Sequence, residues 1–302
     1  MPSIQEELRR RTRRTRPQVR VRLAHVVRIT EPAPRLRRIT LGGEDLDGIE
    51  GGLPADAWKL MLPPPGRSRP DLPTVGPDGV PAYAEGAVPP TLRAYTVRRF
   101  DPAACEMDVD VLMHGAGPGP VWAAGVGLGD EVGLAGPRHE FYASPEAAWH
   151  LLAGDDSALP AIATILESLP EGSRVTAFIE VQDDRDVLDI AASADAEIVW
   201  LTRDGAAPGG SGLLEKAVRG LDRPFEGAQA WVAAEAEVVR TLRRHLLDDR
   251  GLARPALKAA AYWKAGRTSD ERDQEVMAAF QAAVAAGADP DDPAITLEAD
   301  LA

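Results

Sequence analysis

The feature that most limits the fold is a change of pattern near residue 149. Before it, the chain reads as short β-type runs broken by turn residues: VRVRLAHVVRIT from residue 19, then RLRRITLGG, then DAWKLMLPPP. Residues 63–90 are rich in Pro and Gly and read as a loop. Strand character returns at 92–99, alternates strictly in EMDVDVLMH (106–114), and recurs briefly in LGDEVGLAG (128–136). Short strands between frequent turns predict an antiparallel barrel or sandwich over 18–145. After residue 149 strands alternate with helices. WHLLAGDDSALPAIATILESLP reads as strand, loop and helix, with Leu159, Ile162, Leu166 and Leu169 as the helical stripe. RVTAFIEV, EIVWLT, AQAWVAAE and ALKAAAYWKAG supply further strands, with helices at 211–221 and from Ala236. That alternation predicts an open parallel sheet with helices on both faces over 146–267. A crevice between two such domains, or the carboxyl ends of parallel strands, is the natural place for a ligand.

The two ends differ in charge. Residues 1–22 hold eight Arg and two acidic residues, a net of +6, within a chain of net −13. Residues 1–17 are expected to form a solvated, disordered basic arm, and 268–302 a helix (270–287) with an acidic tail. The acidic remainder argues against a nucleic-acid partner. No run of about 18 apolar residues occurs, so no membrane insertion is expected. The charged N-terminus lacks the apolar segment of a signal peptide, so a cytoplasmic location is expected. The single Cys105 leaves no internal disulfide, and the five histidines lack metal-site spacing, so no metal site is expected. A monomer is expected.

Three stretches carry candidate chemistry. RAYTVR (93–98) places Arg93, Tyr95 and Val97 on one strand face and Ala94, Thr96 and Arg98 on the other. Arg93 can grip a phosphate, Tyr95 can stack on a flat heterocycle, and Thr96 can hydrogen-bond a ring nitrogen. The plainer reading is a strand with one core aromatic and surface charges. HGAGPGPVWA (114–123) offers Gly115, Gly117 and Gly119, which let backbone N–H groups approach an anion, and then a short helical turn. The plainer reading is a turn. GDDSALPAI (154–162) joins a strand to a helix, with Asp156 or Ser157 as the cap. It is not the GxGxxG fingerprint of dinucleotide-binding folds.

In this order the segments resemble the siderophore-interacting protein family, FAD-dependent ferric-siderophore reductases of the ferredoxin–NADP+ reductase-like superfamily. The R-x-Y-[ST]-x-R strand is met by Arg93, Tyr95, Thr96 and Arg98, and the H-G-x-x-G-P-x-x-x-W-A loop by His114, Gly115, Gly117, Pro118, Trp122 and Ala123. GDDSALPAI, WVAAE and AYWKAG match three later motifs, and the resemblance spans about residues 18–285. It implies a β-barrel FAD-binding domain followed by an α/β NAD(P)H-binding domain. By resemblance, Arg93 binds the FAD phosphate, Tyr95 stacks on the isoalloxazine, and Thr96 bonds near N5. Val111, Met113 and His114 line the flavin, and Gly115, Gly117, Gly119, Pro120 and Trp122 hold the pyrophosphate. Asp155, Asp156, Ser157 and Ala158 lie near flavin and nicotinamide, with Arg203 and Glu235 for NAD(P)H. Because Thr96 faces away from Tyr95, its bond to N5 requires the strand to end or bend nearby. Pro120 stands where the family often has Ser. Ala234 and Ala261 replace family glycines, and a Cβ at 234 is expected to crowd a nicotinamide nucleotide.

The implied reaction takes electrons from NADPH, NADH or reduced ferredoxin through FAD to a ferric siderophore, releasing Fe2+. Lys59, Arg138 and Lys264 are the candidate cations for an anionic substrate; Lys216 and Lys258 are the only other lysines. No acid or base residue is required; His139 and His150 are the candidate proton donors. The alternatives are another flavin oxidoreductase of the superfamily and a siderophore carrier without reductase activity.

Overall fold

The computed structural model describes residues 4–15, 20–49, 52–75, 81–115 and 117–268, with residues 271, 278, 282, 285 and 286. The helix expected over 270–287 and the acidic tail otherwise lie outside these residues. The chain divides into two compact units, one of residues 10–140 and one of residues 1–9 with 141–302.

The first unit is a closed antiparallel barrel. Its strands are β1 (Arg22–Ala33), β2 (Leu36–Gly42), β3 (Ala57–Leu62), β6 (Thr91–Asp101), β7 (Glu106–Leu112) and β8 (Glu131–Arg138). Around the barrel they run β1-β2-β7-β6-β3-β8. A small hairpin of β4 (Thr74–Val75) and β5 (Pro81–Ala82) sits in the Pro/Gly-rich loop. The strict alternation of 106–114 has the expected result on one face: Met107, Val109 and Val111 join Ile39, Leu41, Trp58 and Leu60 in the core. The other face is not left to water. Asp108 accepts from Thr40 Oγ1 at 2.6 Å, and Asp110 takes both Nε and a terminal nitrogen of Arg38 at 2.7 and 2.8 Å. A short helix, α2 (Pro118–Gly125), follows β7.

The second unit is a parallel sheet in the order β11-β10-β9-β12-β13. Its strands are β9 (Trp149–Asp155), β10 (Arg174–Val181), β11 (Asp195–Thr202), β12 (Ala228–Glu235) and β13 (Leu257–Trp263). Helices α3 (Leu159–Ser168), α4 (Leu213–Arg219) and α5 (Ala236–Arg244) connect them. Leu159, Ile162, Leu166 and Leu169, the stripe expected of α3, are all buried. The chain starts at the central β9 and builds outward in both directions, so the strand order reverses between β9 and β12.

Two expectations are revised. Residues expected to form a disordered arm are helical: α1 spans Ile4–Thr15, with Ile4 and Leu8 buried. Their i,i+4 spacing is the signal, masked in the sequence by the surrounding arginines. Ala234, with a Cβ expected to crowd a nucleotide, lies in the core of the second unit with Ala261, Ala259 and Trp149.

Gly154, at the end of β9, lets α3 approach the sheet. A Cβ there would lie 2.7 Å from both Ala158 Cβ and the Ala233 carbonyl oxygen. Gly154→Ala should destabilise the native state by about 1–3 kcal/mol, read as a lowered urea midpoint. An unchanged midpoint would show that the backbone yields here.

Candidate functional site

On the barrel, β6 carries the RAYTVR residues. Its register opposite β3 pairs Leu60 with Arg93, Trp58 with Tyr95 and Ala57 with Thr96. Directly opposed residues share a face, so Arg93 and Tyr95 lie on the side of the core residues Leu60 and Trp58, and Thr96 on the other. The strand does not end at Thr96. It changes partner there: the Val97 N–H bonds the Asp56 carbonyl at 2.8 Å, and pairing with β7 begins at Val97. A register shift follows between Val97 and Arg99, one step beyond the expected bend.

Tyr95 reaches the glycine loop. A Cβ on Gly119 would overlap the Tyr95 hydroxyl, so only glycine allows this approach. Burial pushes the Tyr95 phenol up to about 12, with Arg93 pulling the other way. The ring therefore stays neutral. Arg93 is buried, and one of its terminal nitrogens donates to the Leu92 carbonyl at 2.6 Å.

The loop after β7 is shaped for an anion. Gly115 has φ 56°, a conformation glycine adopts freely, and nothing lies within 4 Å of where its Cβ would be. Gly117 caps α2 without a side-chain bond. Pro118 and Pro120 have no N–H, so Gly119 supplies the only N–H of the first three helical positions. The departure at Pro120 thus removes a backbone donor as well as a hydroxyl. Trp122 packs against the barrel core, and its indole Nε1 is buried without a partner among the described residues. An unpartnered buried donor, a glycine-only contact and an open glycine loop fit a flat, phosphate-bearing group such as FAD. Met113 packs against the core and His114 is exposed. Val111 is different: its side chain is part of the barrel core, so any flavin contact falls to its backbone.

The remaining barrel candidates are spread along β3 and β8. Lys59 is exposed and opposite Ala135, while Arg138 is opposite Ala57 and pairs with Glu140 at 2.5 Å. His139 is buried, with Nδ1 2.8 Å from Asp56 Oδ1. Burial raises the Asp56 carboxyl, against the hydrogen bond from His139. The sequence offered no spacing signal for this pair, 83 residues apart.

In the second unit Asp155 ties three strands together. Its Oδ2 accepts from the Glu235 N–H at 3.1 Å and Trp263 Nε1 at 2.8 Å, and its Oδ1 from both N–H and Oγ of Ser157. The helix cap expected of Asp156 or Ser157 is instead Ala158, without a side-chain bond. Asp156 pairs with Arg203 at 2.6 Å. Arg203, read as a cation for NAD(P)H, has a side chain only 2% exposed and also bonds Glu180 at 3.4 Å and Gln182 at 3.3 Å. Glu235 caps α5 through the N–H groups of Glu237 and Val238, and its other oxygen accepts from Ala265 N at 3.0 Å. Both oxygens therefore hold the fold. His150 is buried in β9; burial lowers its pKa, so it stays neutral and is a poor proton donor. Lys264, half-buried, follows β13.

Two outcomes are expected. Gly119→Ala should displace Tyr95 and cut FAD affinity about tenfold or more, read by titrating apoprotein; adding Tyr95→Phe should recover part of the loss. Equal affinity for the wild type and Gly119→Ala would contradict the assignment. Burial, then the Asp156 carboxylate, push Asp155 from its ordinary 3.8 up to about 6. A carboxyl that holds its proton more tightly when folded contributes stability at low pH, which is lost as pH rises between 3.8 and about 6. Asp155→Asn should flatten the fall in urea midpoint across that window; an unaltered slope would count against the shift.

Residues 25–141 match the siderophore-interacting FAD-binding domain, and residues 147–266 match the siderophore-interacting protein domain. The chain is 36% identical over 259 residues to ferric vibriobactin reductase ViuB of Vibrio cholerae, covering 84% of this chain and 93% of that protein. It is 30% identical over 260 residues to the NADPH-dependent ferric-chelate reductase of Escherichia coli, covering 83% and 96%. The crystal structure of a siderophore utilization protein from T. fusca superposes with a TM-score of 0.75 at 39% identity, covering 83% of this chain and 95% of that one. The chain belongs to the siderophore-interacting protein family, and its barrel is that family's FAD-binding domain.

Proposed function

We propose that the chain is an FAD-dependent oxidoreductase that reduces ferric siderophores and frees Fe2+ in the cytoplasm, working as a monomer. The observation that carries this reading is the contact of Tyr95 with Gly119, which joins the ring-and-phosphate strand to the anion-binding loop. The names of the Vibrio and Escherichia relatives support the same substrate class. NADPH or NADH is the donor in this reading, with reduced ferredoxin as a second source of electrons. Among the described residues no helix is long and apolar enough to cross a membrane.

FAD, when bound, supplies the step between a two-electron donor and a one-electron acceptor. The protein's part is placement. Arg93 and the backbone at Gly115, Gly117 and Gly119 take the phosphates, and Tyr95 presents a neutral ring face. Thr96, at the point where β6 changes partner, offers its hydroxyl to the flavin edge. Lys59 and Arg138, on neighbouring strands of the barrel, draw in an anionic ferric complex. Hard oxygen donors hold Fe3+ far better than Fe2+, so reduction itself loosens the iron.

The test is anaerobic reduction of a ferric siderophore by the FAD-loaded protein, with a ferrous-specific chelator as the readout. Coloured ferrous chelate should form with a nicotinamide donor or reduced ferredoxin. No release with any of them would overturn the reading. Lys59→Glu should raise the KM for an anionic ferric siderophore about three- to tenfold and change kcat little.

A further inference from the structure

We propose that the nicotinamide donor is NADH, and that the carboxyl edge of β10 and β11 rejects the 2′-phosphate of NADPH. This rests on the preceding reading that a nicotinamide nucleotide reduces the flavin.

Ligands of open α/β sheets bind outside the carboxyl ends of the strands, where the strand order reverses. Here that place lies between β9 and β12. In dinucleotide-binding sheets the adenosine ribose meets side chains following the second strand in chain order. A carboxylate there accepts from the 2′-hydroxyl, whereas an arginine accommodates a 2′-phosphate. The second strand is β10, and its neighbour on the outer side is β11.

Two arginines lie in this region, Arg185 after β10 and Arg203 after β11. Arg203 is turned inward, and Arg185, though exposed, is held in an ion pair. Arg203 is buried between the carboxylates of Asp156 and Glu180, and Gln182 accepts from it as well. The second Glu180 oxygen accepts from Ser211 Oγ at 2.7 Å, which fastens the loop after β11 over the pair. To reach a phosphate, Arg203 would have to leave two buried carboxylates without their counter-ion, an arrangement far costlier than the exposed contact it would gain. Arg185 is exposed and pairs with Asp183 through Nε and a terminal nitrogen at 3.0 and 2.9 Å.

The edge as a whole is acidic. Residues 180–186 with 203 and 204 contain five acids (Glu180, Asp183, Asp184, Asp186, Asp204) against these two arginines, a net of −3. Asp184 and Asp204 are exposed and Asp183 is half-buried, beside the exposed Arg185, while Glu180 and Asp186 are buried. A phosphomonoester, carrying roughly −1.5 to −2 at neutral pH, meets repulsion from that edge. A ribose diol meets hydrogen-bond acceptors.

The test follows flavin bleaching in the FAD-loaded chain under anaerobic conditions with NADH and with NADPH. NADH should react about tenfold or more faster per unit concentration at low ionic strength, and added salt should narrow the gap, as screening predicts. Calorimetric titration should show ADP binding more tightly than 2′,5′-ADP, independent of turnover. Asp184→Lys and, separately, Glu180→Gln, which loosens the hold on Arg203, should move the preference toward NADPH. Equal or faster bleaching by NADPH, tighter 2′,5′-ADP, or an unmoved ratio in a folded Asp184→Lys variant would overturn the inference. Bleaching by neither nucleotide also overturns it. In that case dithionite-reduced protein that still releases iron would leave the reductase reading standing, and protein that does not would remove that reading too.

Discussion

The hydroxyl of Tyr95 lies against the backbone of Gly119, and the seating of the loop after β7 on β6 depends on that approach. It fixes the start of α2 relative to β6, two elements whose only covalent link runs through β7. With the ring held there, Arg93 lies on the same strand face and Gly115 makes an open turn. The sequence at α2 is consistent with this restraint: Pro118 and Pro120 preset the backbone, and Gly119 between them provides both the clearance and the N–H.

The second unit is organised around a carboxylate rather than a ring. Asp155 accepts from groups at the ends of β12 and β13 and in the turn before α3, so three segments at the carboxyl edge share one anchor. Glu235 repeats the device one strand over, capping α5 and holding Ala265. Acidic side chains that look like ligand-binding groups thus spend their hydrogen bonds on the scaffold. The sheet edge remains negative, which bears on the nucleotide it accepts.

The order of the two architectures was legible because the hydrophobic period changes from two to about 3.6 near residue 149, and the helical stripe of α3 is buried as read. The candidates Arg93, Tyr95, Gly115, Gly117 and Gly119 are picked out by local spacing alone. Much else was set by partners distant in sequence. Nothing in the strict alternation of 106–114 shows that Asp108 and Asp110 meet Thr40 and Arg38, 68 and 72 residues away. Arg203, read as a cation for NAD(P)H, is drawn inside by Asp156, 47 residues earlier. Charge dominates the pattern of Ile4–Thr15 and hides the two apolar residues that order it as a helix. No local pattern reports that β6 trades one neighbour for another at Thr96.

The central claim is that the barrel binds FAD through the Tyr95–Gly119 end. The visible absorption spectrum of the purified protein, reconstituted with FAD and freed of excess by gel filtration, tests it most directly. The account predicts the two bands of oxidised flavin at about one FAD per chain, lost on substituting Tyr95 by Ala in protein that remains folded. A colourless protein after reconstitution, or full flavin occupancy in Tyr95→Ala, would contradict it.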